Sequence, residues 1–387
     1  MSEAVARLKL VDQHCHPVTI RTVDDAAFEM WCTESHAPAP AGLSYLDSQL
    51  GQAVRRWCPV ALGLPGGTSM MDYLAARREL PAVEVNSRLL RAANLRSMLV
   101  DTGLRGDELL SVAGLGEAAA APTAEVLRLE ALAERVADAT TASWFPDAFT
   151  TALDKALNGA GGVAGEALGR VVAVKSIAAY RYGLDLAPDR PTRAEVVAAA
   201  GMWLRERDGE EDRSRLTDPV LLRFLLWSAV DAGRPIQMHT GFGDADAAVR
   251  GSDPGLLQPF CAATEAAGTP IVLLHCYPYQ RKAGWLAHIY PHVYVDVGLT
   301  TGYLGARSTV VLAEFLELAP FWKVLYSSDA YGLAELYLVG AAQFRHSLTR
   351  VLAGFVSDAA MSEADSYRIA TMVGAENANR LYGLPPG

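Results

Sequence analysis

Several protein classes are excluded by what this chain has too little of. Its five cysteines, Cys15, Cys32, Cys58, Cys261 and Cys276, are odd in number and include no C-x-x-C pair. That is neither a disulfide framework nor a zinc ribbon, and it fits a reducing compartment. Basic residues are in deficit, 34 Lys+Arg against 44 Asp+Glu for a net charge of −10. Such a field repels phosphate backbones and anionic lipid, so neither nucleic acid nor a membrane surface is expected as a partner. No apolar run approaches the roughly 18 residues of a membrane span, and no signal-peptide core precedes Asp12. A cytoplasmic protein is expected. The absence of a G-x-S-x-G elbow, a P-loop and an H-E-x-x-H helix argues against serine hydrolases, NTPases and zincins.

What the chain does have is apolar mass, 51% of 387 residues, enough for a large core. Short β-branched runs recur, each ending in polar or glycine residues: Leu8–Asp12, Arg170–Lys175, Pro235–His239, Pro270–His275, His292–Val297 and Trp322–Ser327. Leu95–Asp101 and Glu125–Glu130 are weaker candidates that bring the total to eight. Continuous apolar strands of this kind are buried on both faces, as parallel strands are. Helical stretches such as Pro219–Ala232 and Gly255–Ala267 lie between them, so the pattern predicts an α/β fold, a (β/α)8 TIM barrel, with a doubly wound sheet as the competing architecture. The segment from about Pro17 to Ala93 is too long for one crossover and reads as a helical insertion after the first strand, within a single domain spanning residues 1–387. A second excess, Arg181 to Arg234, reads as two helices, Arg193–Arg207 and Asp218–Ala232, around the charged turn Asp208–Asp212. Gly159–Gly165 is glycine-rich but precedes a strand, so it reads as a connection and not a dinucleotide fingerprint.

The polar residues at strand ends carry the chemistry. His14 and His16 stand two apart at the end of the first strand, where both imidazoles can face one way. His239 and His275 end two later strands, and Asp329 follows another. Barrel active sites lie at the C-terminal ends of strands, so all five should meet on one rim. This nitrogen and oxygen donor set suits Zn²⁺ best and is compatible with Mn²⁺ or Fe²⁺. Asp12, two residues before the histidine pair, is placed to orient a ligand. Phe242, Tyr279 and Tyr180 follow strand ends as candidate pocket-lining aromatics. Cys276 reads as a packed thiol; His288 falls in a helix and His292 at a strand's start, the wrong end of the barrel, so both read as structural or solvated, and His36 and His346 have no partners in the pattern.

The His14-x-His16, His239, His275 and Asp329 series resembles the amidohydrolase superfamily. Further segments narrow the likeness to its amidohydrolase-related branch, which includes the N-terminal domain of FluG and nodulin-type proteins: Val174–Arg181, His239–Asp244, Leu274–Tyr279, Tyr294–Val297, Leu325–Ala330 and Glu376–Tyr382. The resemblance covers about residue 170 to the C-terminus and the strand around His14. It implies one or two divalent ions held by His14, His16, His239 and Asp329. It also implies that Asp329 takes a proton from metal-activated water, and that His275 polarises the substrate or binds a second ion. Lys175 ends the fourth strand candidate, where binuclear relatives have a carboxylated lysine; as an amine it could instead join Arg181 on a substrate carboxylate, or form an interior ion pair. These alternatives stay open. The implied activity is hydrolysis of a C–N bond, an amide, in a small-molecule substrate. Because the FluG-type domain is often joined to a glutamine-synthetase-like domain, absent from this chain, a γ-glutamyl amide is the suggested substrate. Non-oxidative decarboxylation on the same ligand frame is the alternative, and a homo-oligomer is compatible with either.

Overall fold

The computed structural model describes residues 2–104, 106–158, 170–209 and 215–385. Its apolar runs form eight parallel strands: β1 (Leu10–Cys15), β2 (Leu95–Asp101), β3 (Thr123–Arg128), β4 (Val171–Ser176), β5 (Ile236–Thr240), β6 (Ile271–His275), β7 (Val293–Asp296) and β8 (Val324–Leu325). They pair in sequence order, β1 to β8, as one sheet. Beyond the short β8, backbone bonds continue along β1 and join the two edges. Gln13 N–H donates to Tyr326 O at 3.2 Å, Asp329 N–H to His14 O at 3.0 Å and His16 N–H to Ala330 O at 2.8 Å. The result is an α/β fold, a (β/α)8 TIM barrel.

The helices follow from local sequence. In Pro219–Ala232, Asp218 caps the N-terminus by accepting from Val220 and Leu221 N–H, Pro219 takes the first turn, and Gly233 ends the helix at φ 65°. Leu221, Leu222, Leu225, Leu226 and Ala229 place one apolar stripe against the sheet. Between β1 and β2 lie the helices Asp25–Trp31, Gln49–Ala61, Met70–Arg78 and Ala82–Ala92. Asp24, Ser48 and Ser69 cap the first three. Arg77 Nε and Tyr73 Oη both donate to Glu335 Oε1, at 2.6 and 2.9 Å, and tie this segment to the long helix Ala334–Ser357. No helix among the described residues is long and apolar enough to cross a membrane.

The expected eighth strand, Trp322–Ser327, is corrected to two paired residues. Pro320 starts a 3-10 turn over Phe321–Lys323, and Lys323 Nζ is held by Ala287 O and Tyr290 O, both at 2.6 Å, so the chain reaches the sheet only at Val324. The glycine-rich Gly159–Gly165 and most of the charged turn Asp208–Asp212 lie outside the described residues.

Candidate metal centre

The rim is assembled from four strands. His14 Nε2 lies 3.0 Å and His16 Nε2 3.3 Å from Asp329 Oδ1, and His275 Nε2 lies 3.4 Å from Asp329 Oδ2. The His239 ring stands 4.7 Å from that of His275 and 4.3 Å from Tyr180. His14, His275 and Asp329 form one grouping able to hold an ion, and His14, His16 and Asp101 another. His239 belongs to neither, yet its Nε2 is buried without a hydrogen-bond partner. A register shift between Asp12 and Cys15 lets neighbouring side chains of β1 reach the interior together: Gln13 donates to Asp296 at 2.6 Å while His14 faces Asp329.

Hydrogen bonding sets the tautomer of His14. Its Nδ1 is 2.8 Å from Gln237 Oε1. That amide is oriented by its own Nε2, which donates to Gln13 O, Gln13 Oε1 and Tyr382 Oη at 2.7, 2.9 and 3.0 Å. Gln237 therefore accepts the His14 Nδ1 proton and leaves the Nε2 lone pair facing the Asp329 carboxylate. Two acceptors 3.0 Å apart in a buried site call for a cation, and Lys175 Nζ, 3.2 Å from His14 Nε2, is the one the chain itself brings there. Burial, with the Lys175 charge adding to it, pushes His14 down to about 4. Burial likewise takes His275 down to about 3, and His239 falls well below the ordinary range through burial and its neighbour His275. Burial acts to raise Asp329, but His275, His14 and His16 outweigh it and hold the carboxyl well below the usual range. The His14, His239 and His275 imidazoles, kept neutral by burial around the Asp329 carboxylate, with His239 Nε2, His275 Nε2 and Asp329 Oδ1 unpartnered, are a donor set that fits a divalent cation.

Two of these residues hold left-handed backbone, His275 at φ 66° and Asp329 at φ 50°. Each costs roughly 1–3 kcal/mol and persists because its surroundings determine it. The His275 N–H donates to Asp296 Oδ1 at 2.7 Å, and Asp329 N–H to His14 O. Asp12 sits behind Asp329: its carboxylate accepts from the Ser328 N–H at 2.8 Å and the Ser328 hydroxyl at 2.6 Å, steadying the segment that presents Asp329. At Gly243 a Cβ would lie 2.1 Å from Tyr180 Oη and 3.0 Å from His239 Nε2, so any larger residue there would have to displace the end of the Tyr180 side chain.

A cavity of about 430 Å³ opens above these residues, lined by His16, Lys175, His239 and Asp329 and also by Tyr180, Arg181, Arg128, Glu34, Asp244 and Tyr331. Lys175 is buried with Nζ 3.2 Å from His14 Nε2, and burial lowers it to about 8 against the pull of Asp329 and Asp101. Arg181 lines the cavity but is partly engaged, with Nη2 3.3 Å from Glu134. Two expected lining residues are elsewhere. Tyr279 donates its hydroxyl to Val249 O at 2.9 Å, with Lys282 Nζ 5.1 Å from its ring. The left-handed turn at His275 and Cys276 swings the chain outward before it. Phe242 packs edge-on against Tyr303 at 5.3 Å, one layer behind the wall. His292 and His288 bond Thr264 and Leu318 O away from the rim, and Cys276 is buried with its thiol donating to Leu273 O.

Sequence reasoning missed Gln237, Asp101, Arg128 and Glu34. Gln237 shares a strand face with His239, and Asp101 and Arg128 end β2 and β3, so the strand-end rule could have found all three. Glu34 lies between β1 and β2 and carried no such signal.

With this geometry in place, comparison with known proteins gives a consistent result. A family model described as Amidohydrolase matches residues 185–384. Protein fluG of Emericella nidulans is 31% identical over 224 residues, 55% of this chain but 26% of that protein, so the chain matches about a quarter of its curated relative. A solved structure from Lactobacillus casei, described as a "putative metal-dependent hydrolase", superposes with a TM-score of 0.84 at 27% identity, covering 99% of this chain and 97% of its own. The uronate isomerase of Thermotoga maritima, at 13% identity, a TM-score of 0.62 and coverage of 98% and 96%, shares the fold. The family match takes in more than half of the chain: the chain belongs to the amidohydrolase family and is an enzyme of the hydrolase type.

Proposed function

We propose that the enzyme hydrolyses a C–N bond, an amide, in a small carboxylate-bearing substrate, with a γ-glutamyl amide as the leading example. The observation that carries this reading is the facing pair of acceptors, His14 Nε2 and Asp329 Oδ1, beside the His239 and His275 imidazoles at the mouth of the barrel. His14, His16, His239 and Asp329 would hold a divalent ion, zinc by preference, and the grouping of His275 with His14 and Asp329 leaves room for a second. When bound, the ion supplies Lewis acidity toward water and the substrate carbonyl.

The remaining roles belong to the chain. Asp329 accepts the proton of the attacking water at a carboxylate oxygen and returns it to the departing nitrogen, the two-way transfer that general acid–base catalysis requires. His275, held neutral, orients the carbonyl. Lys175, Arg181 and Arg128 give the cavity a cationic side suited to a substrate carboxylate. The barrel, with residues 17–93 as an insertion after β1, would act as a single domain.

The test is to load purified protein with Zn²⁺, Mn²⁺ or Fe²⁺ and assay a panel of γ-glutamyl and related amides for release of ammonia or amine. Release that depends on metal and disappears in His14→Ala and His239→Ala supports the reading. Evolution of carbon dioxide from matched carboxylic acids with no amine released would replace hydrolysis by decarboxylation. Protein that retains well under one equivalent of any divalent metal after loading would remove the metal-dependent mechanism.

A further inference from the structure

The cavity carries a carboxylate that neither the metal centre nor the barrel uses. Glu34 follows the helix Asp25–Trp31 and lines the cavity beside His16 and Asp329. Tyr303 Oη and Tyr331 Oη both donate to its Oε1, at 2.9 and 3.2 Å. Its Oε2 has no protein partner among the described residues, and no lysine, arginine or histidine pairs with it there. Glu34 is half-buried, and its second oxygen is open to the cavity, where a cation can pair with it. Burial and the nearby acids Asp329 and Asp244 push Glu34 up to about 7.

The complementary charge lies across the mouth. Arg181 places Nη2 on Glu134, while its Nε and Nη1 are buried without partners. Arg128, the last residue of β3, gives Nε and Nη2 to Asp101 and still lines the cavity. Tyr303 and Tyr331, which hold Glu34, follow β7 and β8, whereas Arg128 and Arg181 come from β3 and the turn after β4. In an eight-stranded ring joined in sequence order, positions four strands apart are opposite. The loops that hold Glu34 and the segments that carry Arg128 and Arg181 thus stand on opposite sides of the barrel mouth and line one cavity.

We infer that the substrate is bipolar, with an ammonium group read by Glu34 at one end and a carboxylate read by Arg181 and Arg128 at the other, its scissile bond held between them. This rests on the hydrolase reading for where the scissile bond lies and narrows it: because the α-ammonium and α-carboxylate of a γ-glutamyl group share one carbon, the ammonium read by Glu34 has to belong to the amine half of the amide. Glu34 is a specificity-determining residue that the β1–β2 segment delivers to the barrel mouth. An entering ammonium supplies the missing counter-charge, so singly charged molecules of the same length lose one anchor.

Calorimetric titration with ω-amino acids of graded length, 4-aminobutanoate to 8-aminooctanoate, against the matched alkyl carboxylates and alkylamines tests the inference without turnover. At one length the ω-amino acid should bind at least about tenfold tighter than either singly charged partner. Glu34→Gln should erase that advantage while leaving carboxylate affinity unchanged, and Arg181→Gln should weaken the carboxylates. Equal affinity of amino acid and carboxylate at every length, including no binding of either, overturns the inference. So does a Glu34→Gln protein that loses both classes equally, the outcome of a merely structural role. If discrimination persists but metal-loaded enzyme releases no amine from bipolar amides, the bipolar site stands and the hydrolase reading falls.

Discussion

Gln237 accepts the Nδ1 proton of His14 across 2.8 Å, and that one bond decides which imidazole nitrogen faces the rim. The amide is held by three further bonds to Gln13 and Tyr382, so it has no freedom to turn its NH₂ toward the ring. Gln237→Leu keeps the volume and removes the acceptor. Affinity for the divalent ion should fall about 10- to 100-fold, as for other residues that orient a metal ligand from behind, with the fold intact. Competition with a chromophoric chelator measures this directly, and unchanged affinity would show that the tautomer is set by other means.

Asp329 occupies a different position in the chemistry, since its oxygens lie within 3.4 Å of three imidazoles and its carboxyl is held well below the usual range. Asp329→Asn preserves shape and one acceptor oxygen but cannot take up a proton. Turnover should drop by about 10²- to 10⁴-fold, the usual contribution of a positioned acid–base group, while a measurable part of the metal remains bound. Full activity in the asparagine variant, on a substrate the native enzyme turns over, would rule out the proton-transfer role.

The histidines and Asp329 were legible in the sequence because a parallel barrel gathers the C-terminal ends of its strands, so order along the chain becomes proximity on the rim. Strand order and the β1–β2 helices followed from apolar runs and from excess length. Side-chain direction beyond a strand end was not legible. Tyr279 stands four residues after His275 and was expected in the pocket, but two consecutive left-handed residues redirect the chain toward Val249. Glu34 shows the opposite failure. Its neighbours are the loops after β7 and β8, 269 and 297 residues away, and no local periodicity encodes a contact that the closure of the barrel creates. Arg128 was hidden by the reading of its strand as a weak candidate.

The attachment of the β1–β2 helices is open to a stability test. Arg77 and Tyr73 both bond the buried Glu335 Oε1, and Oε2 has no partner. Arg77→Leu leaves that carboxylate uncompensated and should destabilise the protein by about 3–5 kcal/mol, read from the denaturant midpoint. The double variant Arg77→Leu, Glu335→Leu should recover a large part of the loss, because replacing both members of a buried pair by apolar groups costs far less than breaking it. Additive losses would mean that the pair is not coupled.

Lys323 offers a pH dependence whose sign is fixed by its surroundings. Its ammonium is buried under the barrel, donating to Ala287 O and Tyr290 O, with Trp322 4.9 Å away and no carboxylate partner among the described residues. Burial lowers its pKa from 10.5 to about 8. Below 8 both folded and unfolded chains carry the proton, and the folded state bears the full cost of the buried charge. Between about 8 and 10.5 the unfolded chain binds more protons than the folded one, so this residue's contribution to stability rises with pH. Lys323→Met carries no such charge and serves as the reference. The stability of native protein relative to the Met variant should therefore be lowest at neutral pH and increase steadily as the pH is raised from 8 toward 10. Buried tyrosines that titrate at the alkaline end act on both proteins and cancel in the difference. Denaturant titrations of the two proteins across that range would refute the assignment if the difference were flat or fell.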